Sequence, residues 1–322
     1  MEKILILGEL LIDFIPEEKG LPLKNVEKFC RAAGGAPANV AAAVSRLGGK
    51  AALVFKVGED AFGDFLAEEL SRCGVDTSFR FRTHCAPTAL AFVSLDKDGN
   101  RDFSFYRNPC ADLLLEEEEI TSALFCDCGM LHFGSVNLVE SPAKRAHYKA
   151  VSMAKGRGIP VSFDPNLRLP LWNCAEDCYR AVHEFLPMAD IVKISDDELE
   201  FLFGTDKPEK AAEKLFSMDC QLFLYTKGKE GAQAFTPKGE VSVPSFPVSV
   251  IDTTGAGDSF TGAMLYRLVS GQENLCQLET DRLEEYLRFA SLYAACTTTR
   301  RGGVSAMATM AEIQEFSRRF CI

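Results

Sequence analysis

Short, nearly unbroken apolar runs alternate along this chain with longer amphipathic segments. The runs Lys3–Leu7, Ala51–Val57, Met130–Phe133, Pro160–Phe163, Ile191–Ile194 and Leu222–Thr226 are short for helices and lack the in–out alternation of a half-exposed strand. A strand apolar on both faces must be covered on both, which a parallel sheet flanked by helices provides. The segments between the runs carry a helical pattern: Ala38–Leu47, Asp64–Cys73, Pro142–Lys155, Glu176–Leu186, Glu209–Ser217, Ser259–Val269 and Leu283–Thr298. The expected architecture is a three-layer α/β/α, Rossmann-like fold with a mostly parallel central sheet.

Two stretches break the rhythm. Phe14–Phe29 follows the first strand, and Ala86–Phe105 alternates around a turn signal at Asp98-Gly99-Asn100. Both read as strands of a small appended sheet. With no linker, repeat or low-complexity segment, 1–322 is expected to be one domain, with a β lid contributed by about 13–30 and 86–108.

Charge narrows the function. A net charge of -11 and a pI near 5.0 argue against nucleic-acid or anionic-membrane partners, which need basic surface. The apolar start carries Glu9 and Asp13 and lacks a basic leader with a small-residue cleavage site, so it reads as a buried strand. No apolar stretch reaches the roughly 18 residues of a membrane span. The 12 cysteines are scattered, and with no export signal they are expected as reduced thiols in a cytoplasmic protein. Cys126-Asp127-Cys128 has no second pair at zinc spacing, and the histidines at 84, 132, 147 and 183 do not cluster.

The strongest local signal is Asp252-Thr-Thr-Gly-Ala-Gly-Asp258-Ser-Phe260, opening an apolar helix. Gly255, Ala256 and Gly257 are small enough for their N–H groups to converge at the positive end of the helix dipole, which makes an anion site. Asp258 beside that site is either a catalytic base or simply the helix cap, the common duty of such an aspartate. A second glycine-rich helix entry is Gly34-Gly35-Ala36-Pro37-Ala38-Asn39, where Asn39 could bind a hydroxyl or the segment could be a plain tight turn. A third is Thr226-Lys-Gly-Lys-Glu-Gly231 after an apolar strand, which a simple hairpin would also explain. Neither G-x-x-x-x-G-K-[ST] nor a strand-borne G-x-G-x-x-G is present, which argues against a P-loop NTPase or a nicotinamide dehydrogenase.

GGAPANVA (34–41) and DTTGAGDSF (252–260) resemble, in order and separation, the two signatures of the ribokinase-like (PfkB) carbohydrate kinases. The likeness spans essentially the whole chain. Gly8-Glu9-Leu10-Leu11-Ile12-Asp13 resembles the family's first strand, which ends on a sugar-binding aspartate, and Phe105–Pro109 with Ala111-Asp112, and Phe163–Arg168 with Leu171-Trp172, are similar to the fructokinase and 2-keto-3-deoxygluconate kinase branch. The resemblance implies a ribokinase-like fold and ATP-dependent phosphorylation of a small sugar, fructose first, with Asp258 as general base and Gly255, Ala256 and Gly257 as anion hole. It implies sugar contacts from Asp13, Gly34, Gly35, Asn39, Tyr106, Arg107 and Arg168. Thr226, Gly228, Gly231, Asn166, Lys193 and Ser291 would serve ATP, and Glu198 would organise Mg²⁺ through water. Ser195 stands where the family's N-x-x-E element has Asn. Asp252 and Thr254, with the loop Arg300–Ala306, correspond to a site for a monovalent cation such as K⁺, although Gly303-Val304-Ser305 departs from the commoner sequence. A homodimer pairing lid to lid occurs among relatives. The competing readings are a 2-keto-3-deoxygluconate kinase, whose acidic substrate Arg107 or Arg168 would meet, and an inactive sugar sensor.

Overall fold

The computed structural model describes residues 1–18, 20–95, 101–107 and 109–320. The expected turn at Asp98-Gly99-Asn100, and Asn108, lie outside these residues. The chain opens with β1 (Lys3–Leu7), leaves for β2 (Leu11–Pro16) and β3 (Phe29–Gly34), then forms α1 (Ala36–Arg46), β4 (Lys50–Gly58), α2 (Ala61–Arg72) and β5 (Arg80–Thr83). A second pair, β6 (Leu90–Leu95) and β7 (Arg101–Tyr106), precedes β8 (Cys128–Gly134), α3 (Pro142–Lys155), β9 (Val161–Asp164) and α4 (Ala175–Phe185). There follow β10 (Ile191–Ser195), α5 (Asp196–Phe203), α6 (Pro208–Phe216), β11 (Leu222–Thr226), β12 (Ala232–Thr236) and β13 (Gly239–Val243). The helices α7 (Ala256–Ser270), α8 (Thr280–Thr298) and α9 (Met310–Ser317) come last.

Nine strands make the large sheet, in the order β13-β12-β11-β10-β9-β8-β1-β4-β5. Its pairs are parallel except β11–β12 and β12–β13. Along β1 the two-residue period sends Ile4 and Ile6 to one face, into a core shared with α1, α2, α7, α8 and α9. Leu5 and Leu7 go to the other, with α3, α4, α5 and α6. The three layers thus follow from the doubly apolar strands, each buried Leu, Ile or Phe contributing about 1.5–3 kcal/mol.

A four-stranded sheet, β3-β2-β6-β7, stands beside this body. Its strands come from 11–34 and 90–106, where the sequence pointed to about 13–30 and 86–108. Alternation gives it two unlike faces. Leu11, Asp13 and Phe105 line a cleft against the main body. Phe14, Phe29, Phe92 and Tyr106 form an aromatic row across all four strands on the other face, with successive ring centroids 6.4, 5.5 and 5.3 Å apart from Phe14 to Phe29, Phe92 and Tyr106. Among the described residues no helix is long and apolar enough to cross a membrane.

Candidate active site

The carboxyl ends of parallel strands are where an open α/β sheet binds ligands, and a cavity of about 1000 Å³ lies there. At its centre α7 begins without a side-chain cap, because its cap position is Gly255, at φ 72°. A left-handed cap suits glycine; the Ala256 N–H donates to the Thr253 carbonyl at 3.2 Å, and the Gly255 and Gly257 N–H groups beside it are the ones that could meet an anion. Asp258 is therefore not the cap. It lies in the first turn, buried, and its Oδ2 accepts a hydrogen bond from Asn39 Nδ2 of α1 at 2.7 Å. Burial raises the Asp258 pKa, while Asn39, Arg168 and Lys193 pull it down. Asn39 itself enters from a second glycine-started helix. Gly35 takes φ 110°, and a side chain there would strike the Glu9 carbonyl.

Two cations, Lys193 and Arg168, line the cavity near the start of α7. Lys193 of β10 is buried, with Nζ 3.4 Å from the Asp164 carboxylate at the end of β9. A Cβ added at Gly257 would lie 3.3 Å from that ammonium, so Lys193 sits against the anion-binding backbone. Burial would strip its proton, but Asp164, Glu198 and Asp258 more than offset this and keep it charged. Asp164 also accepts from Thr261 Oγ1 of α7 at 3.1 Å, so one carboxylate ties β9, β10 and α7 together. Arg168 lines the cavity from a loop in which Asn166 and Arg168 hold φ of 46° and 45°. Left-handed backbone at two non-glycine residues is strained and persists where the surroundings impose it. Here the Leu167 N–H donates to Glu198 Oε1 at 3.0 Å, and Trp172 Nε1 donates to the Leu167 carbonyl at 2.8 Å.

Glu198 is thus occupied. Its Oε2 accepts from both the N–H and the hydroxyl of Ser195 at 2.9 Å, so the serine that replaces asparagine spends its hydroxyl on the glutamate. Among the described residues no three His, Cys, Asp or Glu side chains converge as a metal cage. With both Glu198 oxygens accepting hydrogen bonds, a Mg²⁺ arriving with ATP would take its ligands mainly from phosphates and waters, and Glu198 would reach it through water.

Elsewhere, Thr226, Gly228 and Gly231 line the cavity from the β11–β12 turn, and Ser291 lines it from α8 beside apolar Val248, Val250 and Ala294. The third glycine motif is therefore both the hairpin and part of the cavity wall. Asp252 binds across loops: Oδ1 accepts from the Thr254 N–H (2.9 Å) and hydroxyl (2.6 Å), and Oδ2 from the Gly302 N–H (2.9 Å).

Asp13, Gly35 and Asn39 line the same cavity near the lid sheet, together with Glu9 and Phe105. Gly34 does not line it but leaves room for Asp13, whose carboxylate a side chain there would strike. Tyr106 differs from expectation. Adjacent residues of a strand point to opposite faces, so Phe105 takes the cavity side and Tyr106 is 62% exposed on the aromatic row. Arg107 is also turned away, buried in an ion pair with Asp112 and donating to Asn137 Oδ1 at 2.9 Å. The sequence motifs assign no role to Glu9, Asp164 or Thr261; for Glu9 and Asp164 the available signal was a charge just past an apolar strand, and for Thr261 a hydroxyl in an otherwise apolar helix.

An anion site at a helix start, a carboxyl poised beside it and room for two substrates define a kinase that phosphorylates a hydroxyl. The model of the pfkB family carbohydrate kinases matches residues 1–310, and the chain belongs to that family. It is similar to a probable fructokinase-4 of Arabidopsis thaliana, 45% identical over 97% of this chain and 96% of that one. Fructokinase-2 of Solanum lycopersicum is 45% identical over 96% and 94%. Among solved structures, the fructokinase of Xylella fastidiosa with bound ATP superposes with a TM-score of 0.88 at 36% identity, covering 99% of both chains. The fructokinase of Vibrio cholerae O395 with fructose, ADP and calcium ion bound has a TM-score of 0.88 at 32% identity, covering 98% of this chain and 99% of that one. The fold is that of the ribokinase-like sugar kinases.

Proposed function

We propose that this protein is an ATP-dependent fructokinase in which Asp258 takes the proton from the acceptor hydroxyl. The observation that carries the reading is the Asp258 carboxyl, buried at the start of α7 between Asn39 and the Lys193 ammonium, on a cavity with room for sugar and nucleotide. A hydroxyl becomes a competent nucleophile as a carboxylate within hydrogen-bond reach removes its proton. The developing charge on the transferred phosphoryl group meets the N–H groups of Gly255 and Gly257, Lys193 and Arg168, while the Ala256 N–H is held by the Thr253 carbonyl unless the phosphate displaces it. Mg²⁺, when bound with ATP, supplies charge neutralisation on the phosphates. Asp13, Gly35 and Asn39 orient the sugar, Thr226, Gly228, Gly231 and Ser291 border the nucleotide, and Asn166 acts through the loop that carries Arg168. Asp252 and Thr254 are where K⁺ would act, by bracing the loop that precedes α7.

The whole chain is read as one kinase domain, with the four-stranded sheet as the lid that excludes water from the reacting groups. Its aromatic row suits pairing with a second copy, so a homodimer is the assembly we infer. A cytosolic setting is supported by the described cysteines, all free thiols. Neutral fructose is favoured over 2-keto-3-deoxygluconate because Arg107, one of the two arginines that could meet a carboxylate, is already paired with Asp112. ADP release from Mg-ATP with fructose, 2-keto-3-deoxygluconate, ribose and adenosine tests the reading. Turnover led by fructose is expected; turnover confined to the keto-acid, or sugar binding without turnover, would overturn it.

A further inference from the structure

Trp172, the chain's single tryptophan, lies in the loop between β9 and α4, its ring buried in the core that α4 contributes with Cys178 and Val182. Its indole N–H reaches back five residues and donates to the Leu167 carbonyl at 2.8 Å. On its other side Leu167 is held too, its N–H donating to Glu198 Oε1 at 3.0 Å. Between Leu167 and Trp172 the chain makes a tight turn, with the Leu171 N–H donating to the Arg168 carbonyl at 2.9 Å and the Trp172 N–H to the Leu169 carbonyl at 3.1 Å. Arg168 opens that turn at φ 45°, lines the cavity and bears on the charge of Asp258.

The Leu167 carbonyl and the Arg168 N–H belong to one planar peptide unit. Turning that plane changes ψ of Leu167 and φ of Arg168 together, so whatever holds the carbonyl also holds Arg168 in the left-handed region. That region costs a residue with a side chain about as much as one hydrogen bond returns. A single indole N–H is therefore enough to keep the strained turn. The Cys178 thiol, 3.9 Å from the same carbonyl, is a weak donor and no substitute.

We propose that Trp172 is a positioning residue, whose indole N–H fixes the peptide between Leu167 and Arg168 and so keeps the Arg168 guanidinium on the transferred phosphoryl group. Without that bond the plane turns, φ at 168 relaxes to negative values, and the guanidinium swings off the phosphoryl position. The packing of the ring serves stability separately. This deepens the kinase reading, on which it rests, by naming what aims the arginine.

The test separates the N–H from the ring. β-Benzothienylalanine, introduced at position 172 by stop-codon suppression, keeps the shape of the indole and puts sulfur where its N–H stood; Trp172→Phe is the genetic counterpart. Each is combined with Arg168→Ala in a double-substitution cycle read as kcat for ADP release with fructose. Loss of the N–H should lower kcat about tenfold, the worth of one hydrogen bond. In the Arg168→Ala background the same loss should cost less than about twofold, because the arginine it aims is gone. Equal losses in both backgrounds, or no loss from the benzothienyl replacement in the wild type, would overturn the proposal, since Trp172 would then serve the fold alone. Should Trp172→Phe misfold, the isosteric replacement decides by itself. Wild-type turnover in Arg168→Ala would instead remove the reading of Arg168, and the proposal with it. Absence of fructose turnover would sink the fructokinase reading, and the same cycle read as calorimetric affinity for a non-hydrolysable ATP analogue would still decide for Trp172.

Discussion

Replacing Asp258 by asparagine removes one negative charge and little else. The volume is unchanged, and the asparagine oxygen can still accept the Asn39 amide that the carboxylate holds at 2.7 Å, so the first turn of α7 should fold as before. What is lost is a proton acceptor at the reacting hydroxyl. Loss of a positioned general base costs about 10²- to 10⁴-fold in rate, which corresponds to about 3–5.5 kcal/mol of activation free energy. The local charges sharpen the expectation, because Asp258 sits in the field of Arg168 and Lys193. Without its charge the two cations face the nucleotide less opposed, so ATP should bind at least as tightly while turnover collapses. The measurement is coupled ADP release over a fructose and ATP grid, with fructose binding followed separately by calorimetry. A kcat down by a hundredfold or more with fructose affinity within about threefold is the expected pattern. Turnover within tenfold of wild type would refute the assignment, since a hydroxyl with no base beside it has no comparable route.

Asp164→Asn leaves the buried Lys193 ammonium without its nearest counter-charge; breaking one side of a buried pair costs about 3–5 kcal/mol, read as a lower thermal midpoint, and turnover should fall because the ammonium no longer rests against Gly257. Gly255→Ala places a side chain at φ 72°, 3.1 Å from the Met307 methyl; a left-handed non-glycine residue costs about 1–2 kcal/mol, and turnover should fall more than stability explains. Glu9 gives a pH signature. Its folded pKa, about 7 against an ordinary 4.5, means that protonation favours the folded state. Stability is fully present below the ordinary value and is lost as pH rises through about 7, by up to about 3 kcal/mol. Denaturant midpoints of wild type should therefore decline from pH 5 to 8.5 more than those of Glu9→Gln, and parallel curves would show that the carboxyl is not buried.

The elements that sequence rendered well are those whose physics is local. The run Leu222–Thr226 became β11 with the same bounds, and Pro142–Lys155 became α3 likewise, where Ser141 caps the Lys144 N–H ahead of Pro142. α5 was hidden because its first three residues, Asp196, Asp197 and Glu198, belong to the N-x-x-E element, whose capping box starts the helix. β12 and β13 were hidden because the hairpin after β11 pairs strands with little apolar length of their own. The same rule divides the site. Gly255 and Asp258 announce themselves within one motif. The Asn39–Asp258 bond joins residues 219 apart, the Asp164–Thr261 bond residues 97 apart, and the Glu9–Ala36 bond residues 27 apart. Sequence offers Asn39 and Asp258 in separate motifs, and Glu9 and Asp164 as charges beside apolar strands, but not which residue each one pairs with.

Those long-range bonds also decide where the molecule is vulnerable. Asp258, Lys193, Asp164 and Asn39 stand on α7, β10, β9 and α1, and no pair of them is held by fewer than two elements. Each is a polar group taken out of water, tolerable only while its partner stays within hydrogen-bond reach. The apolar faces on both sides of the sheet fix those elements against one another, and so keep a lysine and several carboxyl groups buried in one place. Gly262 shows the coupling: a Cβ there would strike Ala43 at 2.7 Å, where α7 crosses α1. Gly262→Ala would wedge the two helices apart and lengthen the Asn39–Asp258 bond without touching either residue or the substrates. Turnover should then fall with little change in nucleotide affinity, because the residues we propose border the nucleotide, Thr226 and Ser291, hang from β11 and α8. Equal losses in ATP binding and turnover would mean that the wedge disorders the whole cleft, and that the coupling does not run through the α1–α7 contact.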